Sequence, residues 1–402
     1  MTDTTSDVIS YPIVTEHALD VDARCIALQP RGPVRVQLPY GEPCWLATSY
    51  DDVKAVHGDR RFGKELGVQH DPPRLHQRAA IDPSMLAMMD APRHTRIRKL
   101  TSATFAKPRV RAMSGWVDGF VAELLDEMAA KGDTVDFMDF SWALPNHVVT
   151  GILGIPLDDV PMFRGWIDTM LAASSTLEQR AENHGKLLEY IRGLISERRA
   201  NPTDDVLSEL VQARDDEDRL TEDELVMLSL SLFLGGFETT VAELGSMVFT
   251  LLSQRRLWEE LVADRDLLPA AIDELFRWIP SFRYGFPNPR WAIEDVELSN
   301  GVVIPAGDAI IGERSVAHRD ETVYPHASEI DFHRENPAPH LMLGWGPHHC
   351  VGAHLATLEL HLSLAAILER FPTMRLTVDP SEIEWSTQTL LRSPEALPVA
   401  WG

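Results

Sequence analysis

Apolar and polar positions divide the chain into a long helical middle and short β-prone runs towards both ends. Val34–Thr48 (VRVQLPYGEPCWLAT) carries two apolar, β-prone runs around Pro39-Tyr40-Gly41, which predicts a hairpin. Ser49-Tyr-Asp-Asp opens a short helix to Val56, with Ser49 as N-cap. Arg61 to Pro83 is polar, contains Pro72-Pro73, and reads as a long loop ending in an apolar island, Pro83-Ser-Met85-Leu-Ala-Met88-Met89. Trp116–Ile195 repeats at helical period, punctuated by Gly132-Asp133 and Gly154-Ile-Pro156. Thr221-Glu-Asp-Glu224 is a capping box. It opens a helix from Glu222 to about Ser253, on the order of 45 Å long at 1.5 Å per residue. Val296–Ile311 reads as short strands with turns at Ser299-Asn300-Gly301 and Pro305-Ala-Gly307, and Thr389–Trp401 is β-like. Leu355, Leu358, Leu362, Ala365 and Leu368 predict a helix over Ala353–Leu368. The expectation is a mainly α fold with small β-sheets, in one domain over 1–402.

Composition narrows the setting. A chain of 402 residues with 44% hydrophobic content can build a large core. A formal charge of −24 argues against binding nucleic acid or an anionic membrane. Cys25, Cys44 and Cys350 are widely spaced with no C-x-x-C pair, which fits a reducing compartment rather than a disulfide framework or zinc ribbon. The N-terminus is polar and acidic, without the basic and apolar regions of a secretory signal. The longest apolar run, near Leu225–Phe237, contains serines and ends at Glu238, which reads as too short and too polar to span a bilayer. A cytoplasmic monomer is expected.

The candidate chemistry centres on Gly344-Trp-Gly346-Pro-His348-His-Cys350-Val-Gly352. Gly344 and Gly346 allow tight backbone geometry against something flat. Cys350 stands at or just before a helix N-terminus, where free N–H groups and the helix dipole favour a thiolate. Such a thiolate suits an axial ligand to haem iron; a buried, inert cysteine before a helix is the plainer alternative. A zinc site from His348, His349 and Cys350 is disfavoured, because adjacent residues in one tight loop do not converge tetrahedrally.

Other stretches carry two readings each. Gly235-Gly236-Phe237-Glu238-Thr239-Thr240 puts two glycines in mid-helix, costing roughly 1 kcal/mol each. That marks either close helix packing or an opening over a ligand beside an acid–alcohol pair. Ala91–Val117 holds seven Lys or Arg and no acid, either a solvated face or a set of anion-neutralising and partner-docking cations. His94 and Arg98 share one helix face there. The methionines at 85, 88 and 89 are core filler or an adaptable pocket wall. Glu274-Leu-Phe-Arg277 is an acid–base pair in apolar surroundings.

Five stretches taken in order, His94–Arg98, Gly235–Thr240, Glu274–Arg277, Asp331–Arg334 and Gly344–Gly352, resemble the cytochrome P450 family of soluble bacterial type. Leu343 departs from the family's usual Phe, Gly235 from its frequent Ala, and the interval from Arg277 to Arg290 is slightly long. The resemblance implies haem b with Cys350 as iron ligand, in a loop shaped by Gly344 and Gly352. It implies propionate contacts from His94, Arg98, Arg290 and His348. Glu238 and Thr239 become the proton-relaying acid and the threonine that supports O–O cleavage, and Glu274, Arg277 and Arg334 a structural triad. Pocket walls fall at Met85, Met88, Met89, Gly236, Phe237, Phe282, Arg283, Tyr284, Phe286 and Leu390. Arg283 suits a substrate carboxylate or a surface role. The implied reaction is O2-dependent hydroxylation or epoxidation of an apolar small molecule. The chain after Cys350 is short, so NAD(P)H electrons are expected through a separate ferredoxin and ferredoxin reductase. Arg277-Trp-Ile-Pro280 and Arg392-Ser-Pro-Glu-Ala-Leu-Pro look similar to polyketide-tailoring members. Terpenoid or xenobiotic oxidation is the alternative, and a non-catalytic haem protein on the same fold a more distant one.

Overall fold

The computed structural model describes residues 8–12, 19–75, 83–171, 175–215, 219–282, 289–386 and 391–402. The chain is mainly α-helical with small sheets. Its backbone forms two compact units, one of Met1–Pro83, Met88–Ala91 and Asp273–Cys350, the other of Ser84–Ala87, Pro92–Ile272 and Val351–Gly402.

The first unit is built on a six-stranded sheet. The expected hairpin forms its middle: Val34–Gln37 and Cys44–Ala47 pair antiparallel with Val34 opposite Leu46. The turn holds Gly41 at φ +86°, and a Cβ there would lie 2.2 Å from Pro72 O, so only glycine fits. Cys44–Ala47 runs parallel to Ala309–Gly312, which pairs antiparallel with Arg290–Ala292. The stretch expected to be a long loop contributes an edge strand instead, Phe62–Gly63, paired with Arg290–Ala292. Two residues are too short to leave a periodic signal. Ala47, Val53, Phe62, Ala292, Ile310 and Leu341 are all fully or nearly buried in one core cluster.

Behind that core lies a buried ion network. Arg277 Nε and Nη2 donate to Glu274 Oε2 and Oε1, each at 2.7 Å. Its Nη1 donates to the carbonyls of His318 (2.9 Å) and Ala327 (2.7 Å), and Nη2 also to that of Glu329 (2.8 Å). Arg334 Nε adds a bond to Glu274 Oε1 at 2.9 Å, so the three residues meet as the resemblance implied. Arg277 is 2% exposed and Glu274 6%. Removing one partner of such a pair typically costs about 3–5 kcal/mol, because the other charge stays buried.

The second unit is helical. Ser114–Ala130, Phe137–Leu153, Val160–Leu171 and Leu177–Ala200 occupy the region of helical period. Gly154 terminates one of them in the left-handed conformation at φ +68°. Thr221 and Glu224 close the capping box reciprocally at 3.1 and 3.0 Å. The long helix runs Glu222–Phe237, breaks at Glu238, and resumes as Thr239–Ser253. Its full span is long and apolar enough for a bilayer, against the expectation of a short run, but its apolar window is 61% buried within the protein, as in a core helix. Phe163 meets Phe233 at a tilt and Tyr190 edge-on, with centroids at 4.6 and 4.5 Å. A three-stranded antiparallel sheet of Arg375–Leu376, Pro398–Ala400 and Thr134–Asp136 completes the unit.

Three histidines of the first unit are held neutral. Burial pushes His57 and His318 well below the usual histidine range, helped by neighbouring cations, and takes His340 down to about 4. In the unfolded chain all three titrate near 6.5. The unfolded state therefore binds more protons below that value, and stability falls as pH falls from about 6.5 towards 4. Thermal unfolding should show a falling Tm between pH 7.5 and 5, with a shallower slope in His340→Phe; a flat profile in the wild-type protein would contradict this.

Candidate functional site

The loop that carries Cys350 is fixed by its own backbone and by one helix end. Leu341 N–H donates to His318 Nε2 at 2.8 Å. Gly344 N–H donates to Leu341 O (2.9 Å), His349 N–H to Gly346 O (3.1 Å) and Cys350 N–H to Leu343 O (2.7 Å). Gly344 and Gly346 take φ of +80° and +69°. A Cβ on Gly346 would stand 2.7 Å from the Cα of Gly58, so the loop can lie here only as glycine. Gly352 has an ordinary φ of −85° and caps the helix Ala353–Arg370. Cys25 and Cys44 are buried, and burial pushes both thiols up to about 12. Cys350 is the exposed cysteine of the three, and His348 beside it is half-buried.

Around this loop the first unit collects buried cations. Arg290 is 4% exposed, its Nε has no hydrogen-bond partner, and burial lowers its pKa to about 10. Lys64 is 2% exposed and driven well below the lysine range by burial and by Arg290, with Asp90 opposing. Arg314 lies in the field of both Arg290 and His57, and His57 Nε2 is buried without a partner. Asp90 accepts the backbone N–H of Lys64 (2.7 Å) and Glu65 (2.9 Å), so its carboxylate is partly committed. A buried excess of positive charge is costly unless an anion joins it. Sequence reasoning found Arg290 and missed Lys64, His57 and Arg314. None of the three stands in a recognisable motif; the one available signal was basic residues beside β-prone runs.

In the second unit, His94 and Arg98 lie on the helix Arg93–Thr104, His94 buried and Arg98 half-buried. The other cations of that basic stretch are partly spoken for. Arg93 and Arg96 pair with Glu224 at 3.2 and 2.7 Å, and Arg109 pairs with Glu209. Lys99, Lys107 and Arg111 are exposed.

At the break in the long helix, the Thr239 hydroxyl donates to Gly235 O at 2.8 Å. The two glycines there do different things. A Cβ on Gly236 would meet Val149 Cγ2 at 2.9 Å, which is close packing, while one on Gly235 would meet nothing within 4 Å.

The proposed pocket walls divide. Phe237 is 1% exposed and packs between Trp142 and Phe233, with centroids at 6.1 and 5.4 Å, so it belongs to the aromatic core and not to an open wall. Met89, at 2% exposed, is likewise core. Met85 and Met88 are half-buried, and the neighbouring Leu86 N–H reaches Ser231 Oγ at 3.4 Å, on the long helix. Phe282 lies under the Arg314 guanidinium at 5.1 Å. Arg283, Tyr284, Phe286 and Leu390 fall outside the described residues.

An open thiol on a glycine-shaped loop, within a unit holding an unpartnered buried guanidinium, fits a flat metal-bearing group with anionic arms. Haem meets that description through its iron and its carboxylates. Among the described residues no three His, Cys, Asp or Glu side chains gather to hold a metal ion by themselves.

Comparison with known proteins agrees. The family model for cytochrome P450 matches residues 157–398. The chain is 38% identical over 401 residues to mycinamicin IV hydroxylase/epoxidase of Micromonospora griseorubida, covering 99% of this chain and 100% of that one. It is 39% identical over 402 residues to nocardicin C N-oxygenase of Nocardia uniformis subsp. tsuyamanensis, with the same coverage. The crystal structure of the LnmA cytochrome P450 hydroxylase, from the leinamycin pathway of Streptomyces atroolivaceus, superposes with a TM-score of 0.90 at 37% identity, covering 98% and 100% of the two chains.

Proposed function

The chain belongs to the cytochrome P450 family and is a haem-thiolate monooxygenase, and from that premise we propose that Cys350 is its iron ligand and a macrolide- or polyketide-type secondary metabolite its substrate. The observation that carries the ligand assignment is the exposed Cys350 thiol, hung from Leu343 O by its own N–H. Arg290, whose buried Nε has no partner, is the carboxylate anchor of the first unit, joined by His348 and Lys64 of that unit; the family resemblance gives His94 and Arg98 the same role. When bound, haem supplies the O2 activation and C–H oxidation that no side chain can perform.

The chain's own residues supply position and protons. Thr239 Oγ1 gives its hydrogen to Gly235 O, so the oxygen is left as an acceptor. It can pass a proton on only by exchanging its own, and Glu238, half-buried at the helix break, is the acid that replaces it. Electrons from NAD(P)H arrive through a ferredoxin and its reductase. Lys99, Lys107 and Arg111 are the exposed cations that an acidic carrier would meet.

The substrate reading rests on similarity to an enzyme of mycinamicin oxidation over the full chain. A second reading, N-oxygenation, has the equal similarity to nocardicin C N-oxygenase in its favour. Titration of the purified holoprotein with macrolides and with amine-bearing compounds, read as the low-to-high spin shift of the haem, separates them. Macrolides should give the saturable shift; a shift from amines or terpenoids alone would reject the substrate assignment. Thr239→Ala should release peroxide at the expense of product, lowering product formed per electron several-fold while the spin shift persists. Wild-type coupling in that variant would reduce Thr239 to a structural role.

A further inference from the structure

Arg314 stands outside every motif of the chain, yet it touches the segment from which Cys350 hangs. It opens the short helix Arg314–Ala317, directly after the strand Ala309–Gly312. The adjacent acid does not neutralise it by contact. Glu313 Oε2 accepts from the Tyr11 hydroxyl at 2.6 Å, and Oε1 accepts from Ser315 N–H at 3.1 Å. The guanidinium turns the other way. Its Nη1 donates to Met342 O at 2.8 Å, and its plane lies 5.1 Å from the Phe282 ring centre.

Met342 is the middle of three consecutive residues held one by one. The Leu341 N–H is taken by His318 Nε2, the Met342 carbonyl by Arg314, and the Leu343 carbonyl by the Cys350 N–H. Arg314 opens that short helix and His318 caps it, four residues on, so the helix clamps the segment leading into the loop. Burial depresses the Arg314 pKa, and the Glu313 carboxylate and the Cys350 thiolate are the anions that oppose the depression. Arginine keeps its charge even so, and its bond to the Met342 carbonyl comes from a rigid planar group rather than a freely rotating ammonium.

We propose that Arg314 is a positioning residue for the Cys350 thiolate: it fixes the Met342–Leu343 backbone that carries the Cys350 N–H and sets a permanent positive charge in the field of the sulfur. The inference rests on Cys350 being the iron ligand. A fixed cation near a ligating sulfur draws electron density from it and favours the reduced, more negative state of the metal. The charge and the carbonyl contact are separable by substitution.

The test compares Arg314→Gln and Arg314→Lys with wild type as purified holoproteins. Readouts are the haem midpoint potential, the iron–sulfur stretching frequency by resonance Raman, and the rate at which the red-shifted band of the reduced carbon monoxide complex decays. Arg314→Gln should move the midpoint to more negative potential and raise the stretching frequency, while the red-shifted band still forms. Arg314→Lys should keep the midpoint near wild type, yet lose the red-shifted band faster, because lysine keeps the charge without the fork. If Arg314→Gln fails to load haem, the lysine variant alone decides, through its decay rate against an unchanged midpoint. Wild-type potential and frequency in Arg314→Gln, with only weaker haem retention, would overturn the proposal and assign Arg314 to the haem carboxylates. Absence of the red-shifted band in wild type would instead remove the ligand reading beneath it.

Discussion

A cysteine can ligate a metal only if its sulfur is open, and an open sulfur on a loose loop is neither aimed nor protected. Resolving that conflict organises the first unit. The Cys350 N–H is tied to Leu343 O, and two left-handed glycines let the loop turn back on itself. The segment entering the loop is held by His318 and Arg314. His318 is held in turn, since its carbonyl accepts from Arg277, whose charge is matched by Glu274. A continuous run of hydrogen bonds thus leads from the buried ion network to the thiol. This gives the Glu-x-x-Arg pair a physical task. Its desolvation is costly, but it satisfies three carbonyls of the segment around the loop at once, which an apolar replacement could not do.

The same unit gathers several buried basic groups. Arg290, Lys64 and Arg314 are basic groups that burial works against, and the nearby Asp90 is partly used by backbone donors. Burying such groups is costly, and an anionic ligand beside them lowers that cost. On the proposed reading, haem carboxylates beside Arg290 would offset part of that cost. In the second unit the corresponding concession is the break at Glu238, where a side-chain hydroxyl takes the Gly235 carbonyl that an unbroken helix would satisfy from its backbone.

Elements with long or punctuated patterns were legible in the sequence. The hairpin at Val34–Ala47, the capping box at Thr221, the helix after Cys350 and the mid-helix glycines all formed where local chemistry predicted them. The two-residue strand at Phe62 was not, because pairing with a strand more than two hundred residues away leaves no local period. The candidate site residues that sequence can single out, Cys350, Thr239 and Arg290, all stand in motifs. The site was illegible where tertiary contact alone gives a residue its part. Phe237 reads as a pocket wall by its place beside the acid–alcohol pair, yet Trp142 and Phe233 claim it for the core. Arg314 and Lys64 stand in no motif, and only the fold gives them their surroundings.

The most direct test is the carbon monoxide difference spectrum of the reduced, haem-reconstituted protein beside its Cys350→Ala variant. The wild-type protein should give the red-shifted Soret band of a thiolate-ligated haem, and the variant should bind haem without it. A red-shifted band that survives in Cys350→Ala would contradict the assignment on which the account stands.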